Sequence, residues 1–355
     1  MTYWVRDAGL LSIHGRATGT RGVPTLTARV ETGWSYLGHD ALILENEFVR
    51  VVLLPGLGGK IWELTDKVSG RQWLWHSPRV EPRAAPFGAV YDDWFCGGWD
   101  ELFPNDAPEV YNGESLVDHG EVWSLPWTAC VECAGPVEAV VRLTRATPIT
   151  PAMVERRLVL RTGERQLRLF YQISNTGYRP FDFLWKLHPA LSVAPGYRID
   201  LPATEARMEQ GYTGRVGHAE PFPWPVTDGL DVRHVPGPEA GVTELVYTYG
   251  LRAGWCALTD PEALVGIGLV FPSDVFRSVW IFGAYGGWRG LYTTILEPCT
   301  GYPYRLADAV ASGRANRLAP GESLKADVTV VFYSGVHEVY EITDGGEVKG
   351  CGTQR

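Results

Sequence analysis

The sequence predicts an all-β chain of antiparallel sheets, and three observations lead there. Its 41 Gly and 25 Pro are spread along all 355 residues, which breaks the chain into short segments. Between the breaks lie runs rich in Val, Ile, Leu, Tyr and Phe, of strand length rather than helix length. No stretch of ten or more residues carries a convincing 3.6-residue period.

In chain order the expected strands are 41–44, 48–54, 60–65, 137–144, 157–161, 166–173, 181–187 and 326–332. In the run from Leu167 to Ile173, Leu167, Leu169, Tyr171 and Ile173 share one face; Arg168 and Gln172 share the other with Phe170. That is the two-residue period of a strand, with one apolar exception. Turn residues fall between runs at Pro55-Gly56-Leu57-Gly58-Gly59, Arg161-Thr162-Gly163-Glu164 and Ser174-Asn175-Thr176-Gly177, so neighbouring strands are expected to pair antiparallel. With no repeat of 20 to 50 residues and no linker-like segment, residues 1–344 are expected to form one large domain, and 345–355 a loose tail.

Composition narrows the function. At 45% hydrophobic and 21% charged the chain can bury a sizeable core. Its net charge of −9 lacks the cation excess that phosphate-backbone binding requires, so no nucleic-acid partner is expected. No run approaches a membrane span, and Met1 to Asp7 lacks a basic-then-apolar secretory pattern. A cytoplasmic protein without a membrane partner is expected; nothing in the sequence speaks to oligomeric state. Of six cysteines the one close pair, Cys130 and Cys133, has no second pair to complete a zinc site, and free thiols are expected.

The glycine cluster before Lys60 is not a phosphate loop, for Leu54 and Ile61 stand where a Walker motif needs Gly and Ser or Thr. A hairpin turn accounts for it. The 14 Trp are more informative. Several adjoin hydrogen-bonding groups: Trp62 with Glu63, Trp73 and Trp75 with His76, Trp99 with Asp100 and Glu101, Trp185 with Lys186. Aromatic planes beside such groups suit the C–H faces and hydroxyls of a sugar, which makes carbohydrate the leading ligand class.

Four segments concentrate polar groups among apolar neighbours: Cys96 to Asn105, Asp118 to Trp123, Trp185 to Leu191, and Ile295 to Pro298. Singly, each has an ordinary structural explanation, a loop ion pair for His119 with Asp118 or a satisfied core histidine for His188. Their order gives more. Leu54-Pro55-Gly56-Leu57-Gly58-Gly59, Gly97-Gly98 leading to Phe103-Pro104, His119-Gly120 followed by Trp123 and Pro126-Trp127, Leu187-His188, Leu296-Glu297-Pro298, and Leu318-Ala319-Pro320-Gly321-Glu322-Ser323 succeed one another over about residues 40 to 335.

In that order the chain resembles the aldose 1-epimerase, or galactose mutarotase-like, superfamily. The resemblance implies a β-supersandwich, a sugar site in the open cleft of a sheet, an isomerase, and no metal or organic cofactor. It implies Glu297 as general base, His188 as general acid and His119 as the sugar-positioning histidine. Asp100, Trp99, Glu121, Lys186 and Trp185 complete the expected substrate-binding set.

The chemistry agrees with two such groups. Exchange of anomers needs a proton taken from the C1 hydroxyl and one given to the ring oxygen, and an acid and a base can exchange roles on the return. No nucleophile is required; Cys299, two residues after Glu297, is expected to pack. Hexose-6-phosphate epimerases resemble this layout, but the Arg before their Gly-Gly pair is replaced here by Cys96, with Phe95 ahead of it. Loss of a guanidinium clamp favours an unphosphorylated sugar, with Arg79 and Arg83 the remaining cations nearby. Two rival readings are a hydrolase or lyase on the same fold, using Glu297 with a carboxylate such as Asp100, and a sugar-binding module without turnover.

Overall fold

Alternation and turn chemistry produce two large sheets in a computed structural model, which describes Trp4–Arg6 and residues 27–352. The expectation drawn from the first seven residues therefore falls mostly outside the described residues. Among the described residues the larger sheet has 13 strands. Its path runs Trp4–Arg6, Arg29–Tyr36, His39–Glu45, Val49–Leu54, Lys60–Asp66, Trp99–Leu102, Lys186–Leu191, Tyr292–Cys299, Ser278–Tyr285, Val242–Tyr249, Glu205–Thr213, Phe222–Pro223, with Arg71–Gln72 beside Lys60–Asp66. The second sheet has eight described strands: Thr128–Ala134, Glu138–Ala146, Ala152–Arg161, Gln166–Asn175, Ser323–Ser334, Val265–Val270, Trp255–Asp260 and Arg198–Asp200. Pairing along both paths is antiparallel, as the hairpin signals require. The described helices are short, Tyr91–Trp94 and Leu306–Ala311 in α form and Pro238–Ala240 in 3-10 form, and none is long and apolar enough to cross a membrane.

The core lies between the sheets. Leu44, Val51, Leu53, Ile61 and Leu64 meet Val141, Leu143, Leu158, Leu169 and Val328 there, all essentially fully buried. Burying side chains of this size stabilises by about 1.5–3 kcal/mol each. Leu167, Leu169, Tyr171 and Ile173 all face this core, while Phe170 is half-buried on the opposite side.

Two expectations change. The run 181–187 is not one strand: Phe181–Phe183 pairs with Asn316–Leu318, and Lys186–Leu191 enters the large sheet. The break comes where Leu184 N–H turns to Pro104 O at 2.7 Å and Trp185 N–H to Thr300 Oγ1 at 2.9 Å, which takes the backbone out of the short ladder. The described part of the tail, up to residue 352, is also not loose throughout. Val348–Cys351 pairs with Glu338–Ile342, a hairpin whose Ile342 and Val339 pack against Trp255 and Val331.

A buried ion pair ties the sheets together behind the site. Arg156 Nη1, from the small sheet, lies 3.0 Å from Glu101 Oε1 in the large one, both fully buried. Glu101 also accepts from Tyr171 Oη at 2.7 Å and Trp185 Nε1 at 3.3 Å. The pair fixes which face of Trp99–Leu102 is turned inward.

Candidate functional site

Strand alternation builds the site on the face of the large sheet away from the core. In Lys186–Leu191 the residues Leu187 and Leu191 join the inter-sheet core, so Lys186, His188 and Ala190 face outward. On the neighbouring strand Leu296 faces the core, and Ile295 and Glu297 face outward. The register that pairs Lys186 with Cys299 and Ala190 with Ile295 brings His188 opposite Glu297. On the next strand Trp280 and Phe282 continue the same face.

These side chains line a cavity of about 230 Å³. Drug-sized pockets are larger, ~300–1,000 Å³, so this one suits a single small ligand. Aromatic walls come from Tyr91, Phe95, Tyr212, Trp280, Phe282 and Trp288; carboxylates come from Asp92, Asp106, Asp118, Glu209 and Glu297. Among the described residues, no arginine lines it.

Two loops complete the wall. The first crosses beneath Trp75 at Gly97, where φ is 90° and a Cβ would lie 2.1 Å from Trp75 O, so only glycine passes. That crossing positions the Tyr91–Trp94 turn and the Trp99–Leu102 strand. The second loop carries His119. Its backbone N–H donates to Asp106 O at 2.6 Å, and the following Gly120, at φ 75°, lies so near Phe103 O that a Cβ would be 2.3 Å away. His119 Nδ1 lies 2.9 Å from Asp118 Oδ1, and Nε2 lies 3.5 Å from Asp106 Oδ1.

Charge inside the cavity is organised by Lys186. Its Nζ lies 2.8 Å from Glu297 Oε2, 2.8 Å from Asp106 Oδ1 and 4.4 Å from the centre of the Trp280 ring. Burial works against the Lys186 charge, but Asp106 and Glu297 outweigh it and hold its pKa above the usual lysine value. Burial raises Glu297 to about 6, with Lys186 restraining the rise. Burial drives His188 well below the ordinary histidine value, helped by the positive charges of Lys186, His119 and Lys60. For His119, burial again opposes the charge, yet Asp106 and Asp118 prevail and its pKa lies above the usual value. Side-chain type predicts that a histidine holds a proton more tightly than a glutamate. Here the environment pushes the two toward each other from both sides.

Of the residues singled out from the sequence, His119, Lys186, His188 and Glu297 line the cavity. Asp100 stands behind it, 2.5 Å from Lys60 Nζ and 2.9 Å from Tyr91 Oη. Trp99 and Trp185 are corrections to the expected sugar platform: both are fully buried in the inter-sheet core, because they neighbour outward-facing Asp100 and Lys186 and so point the other way. Glu121 is also displaced from a ligand role. Its oxygens accept from the Ile149 and Thr150 backbone N–H groups at 2.6 and 2.9 Å, which anchors a loop. Cys299 packs beside Trp280 and Tyr302, burial pushing its thiol up to about 12. Arg83 lies over the Trp94 ring at 4.3 Å and Arg79 donates to Arg289 O; neither lines the cavity.

Sequence reasoning missed Tyr91, Asp92, Asp106, Glu209, Tyr212, Trp280 and Trp288. Tyr91-Asp92-Asp93-Trp94-Phe95, one residue ahead of Gly97-Gly98, carried the signal of aromatic rings flanking an acidic pair. Glu209, Tyr212 and Trp280 carried none, since they come from distant strands.

No family model matches the chain. Solved structures do match its fold. A galactose mutarotase-like protein from Clostridium acetobutylicum superposes with a TM-score of 0.63 at 13% identity, covering 87% of this chain and 99% of that one. One of the same description from Lactobacillus casei gives 0.58 at 15%, covering 82% and 100%. Slr1438 protein from Synechocystis gives 0.62 at 20%, covering 83% and 96%. The chain is thus an all-β protein with the galactose mutarotase-like fold.

Proposed function

We propose that the chain is an aldose 1-epimerase-like enzyme that interconverts the α and β anomers of an unphosphorylated sugar. The observation that carries the reading is His188 opposite Glu297 across neighbouring strands, both facing one aromatic-walled cavity. A pyranose in that cavity meets an acid and a base at once, which is what ring opening and reclosure need. Lys186, Asp106, His119 and Glu209 supply charged and hydrogen-bonding partners for hydroxyls, while Trp280, Phe282 and Trp288 supply apolar planes.

The productive form of the pair holds one proton. Its carboxyl and imidazole exchange acid and base roles between the opening and closing steps, so a single proton serves both directions. A surplus of carboxylates, with no arginine lining the cavity among the described residues, disfavours an anionic sugar. For the hydrolase reading, Asp100 is not the second carboxylate, because it is engaged by Lys60 and Tyr91 outside the cavity. NMR exchange measurements across a panel of free neutral aldoses test the proposal. Enhanced interconversion of at least one is expected; sugar binding without any enhancement returns the chain to a binding module.

A further inference from the structure

Tyr91 is absent from the acid–base pair, yet it touches both histidines of the cavity. Its Oη lies 2.9 Å from Asp100 Oδ2 and 3.1 Å from His188 Nδ1. The phenol ring stacks on His119 at 4.3 Å between centres, 13° from parallel. The Tyr91 backbone N–H donates to Asp118 Oδ2 at 2.8 Å, and Asp118 in turn holds His119 Nδ1 through Oδ1 at 2.9 Å.

We propose that Tyr91 is the positioning residue that fixes the tautomer of His188, keeping the ring proton on Nδ1 and leaving Nε2 as the atom that meets a proton of the ligand. The argument is one of donors and acceptors. A phenol has one proton to give. Asp100 Oδ2 also faces the Lys60 ammonium at 2.5 Å, and an ammonium only donates, so that oxygen is an acceptor on both sides. Tyr91 therefore donates to Asp100; the reverse orientation would set two oxygen lone pairs against each other at 2.9 Å. With its proton spent on Asp100, the Tyr91 oxygen faces Nδ1 as an acceptor, and Nδ1 must carry hydrogen. A histidine nitrogen's protonation is set by what the other nitrogen bonds, so Nε2 is bare in the neutral ring.

The consequence rests on the proposed anomer exchange: His188 then starts as the proton acceptor and Glu297 as the donor, the reverse of the assignment that the family resemblance implies. The cations around the imidazole act in the same direction. Lys186, His119 and Lys60 all disfavour a second proton on it.

The tautomer is a property of the protein without sugar, so its test does not depend on turnover. In ¹⁵N-labelled protein at neutral pH, long-range ¹H–¹⁵N correlation of the histidine rings separates protonated from bare nitrogens, and loss of one ring system in His188→Gln assigns His188. The expected pattern is protonated Nδ1 with bare Nε2. In Tyr91→Phe, which keeps the ring packed on His119, Phe95 and Trp123, the pattern should shift toward protonated Nε2. Protonated Nε2 in the unmodified protein overturns the proposal, and so does an unchanged His188 pattern in a folded Tyr91→Phe. If that variant fails to fold, the spectrum of the unmodified protein decides alone. Absence of anomer exchange beside the expected tautomer would count against the enzymatic reading and leave the Tyr91 assignment standing.

Discussion

Lys186 Nζ lies 2.8 Å from Glu297 Oε2, from the neighbouring strand and on the same outward face. Burial alone would carry Glu297 further upward, and the ammonium is what holds it to about 6. Lys186→Met removes that restraint and leaves Asp106 as a like charge close by. The upper limb of the kcat/KM profile should move up by roughly one to three pH units. A limb that stays in place would show that Glu297 does not set it.

The unmodified protein should give a bell-shaped kcat/KM profile placed by the site rather than by side-chain type. The productive pair holds one proton, so as pH rises through about 6 Glu297 loses it and the rate falls. As pH falls toward the depressed His188 value, a second proton is taken up and the rate falls again. The measurement is NMR exchange across pH after subtraction of the uncatalysed rate. An upper limb above the ordinary histidine pKa of about 6.5 would contradict this ordering.

Glu297→Gln keeps shape and hydrogen bonding but cannot give up or regain a proton. Exchange should drop by about 10²–10⁴-fold, with sugar affinity by calorimetry changed little. A rate near that of the unmodified protein would remove Glu297 from the chemistry.

His119 is held between Asp118 and Asp106, whose charges outweigh burial and hold its pKa above the usual histidine value. We assign it to placing the sugar, so His119→Ala should raise KM as well as lower kcat. A fall in kcat with KM unchanged would point instead to direct proton transfer.

Arg156 and Glu101 are both fully buried, and each loses its counter-charge if the other is replaced. Arg156→Met should lower unfolding free energy by about 3–5 kcal/mol in a urea titration, through the stranded Glu101 carboxylate. A loss under about 1 kcal/mol would mean that the carboxyl takes up a proton without disturbing the packing.

Much of the fold was legible because its signals are local. Period-two runs such as Leu167 to Ile173, and the turn at Pro55 to Gly59, specify strands and reversals from a few residues of sequence. The site was legible in part. His119, Lys186, His188 and Glu297 could be picked out as polar groups in apolar segments, and they line the cavity.

The selection of Trp99 beside Asp100, and of Trp185 beside Lys186, runs against strand alternation, although only the second pair lay in an expected strand, 181–187. Adjacent residues of a strand face opposite sides, so neither pair could present both members to one ligand. Which side faced the cavity was decided by the tertiary structure, where Glu101 is drawn inward to Arg156, Tyr171 and Trp185 and takes the Trp99 side of its strand with it. The sequence thus determined the all-β class, strands such as Val49–Leu54 and Gln166–Asn175, and which residue types could do acid–base chemistry. Only the packing of distant strands decided that Glu297 would sit beside Lys186, that Tyr91 would reach His188, and that burial and neighbouring charge would bring a glutamate and a histidine toward the same proton affinity.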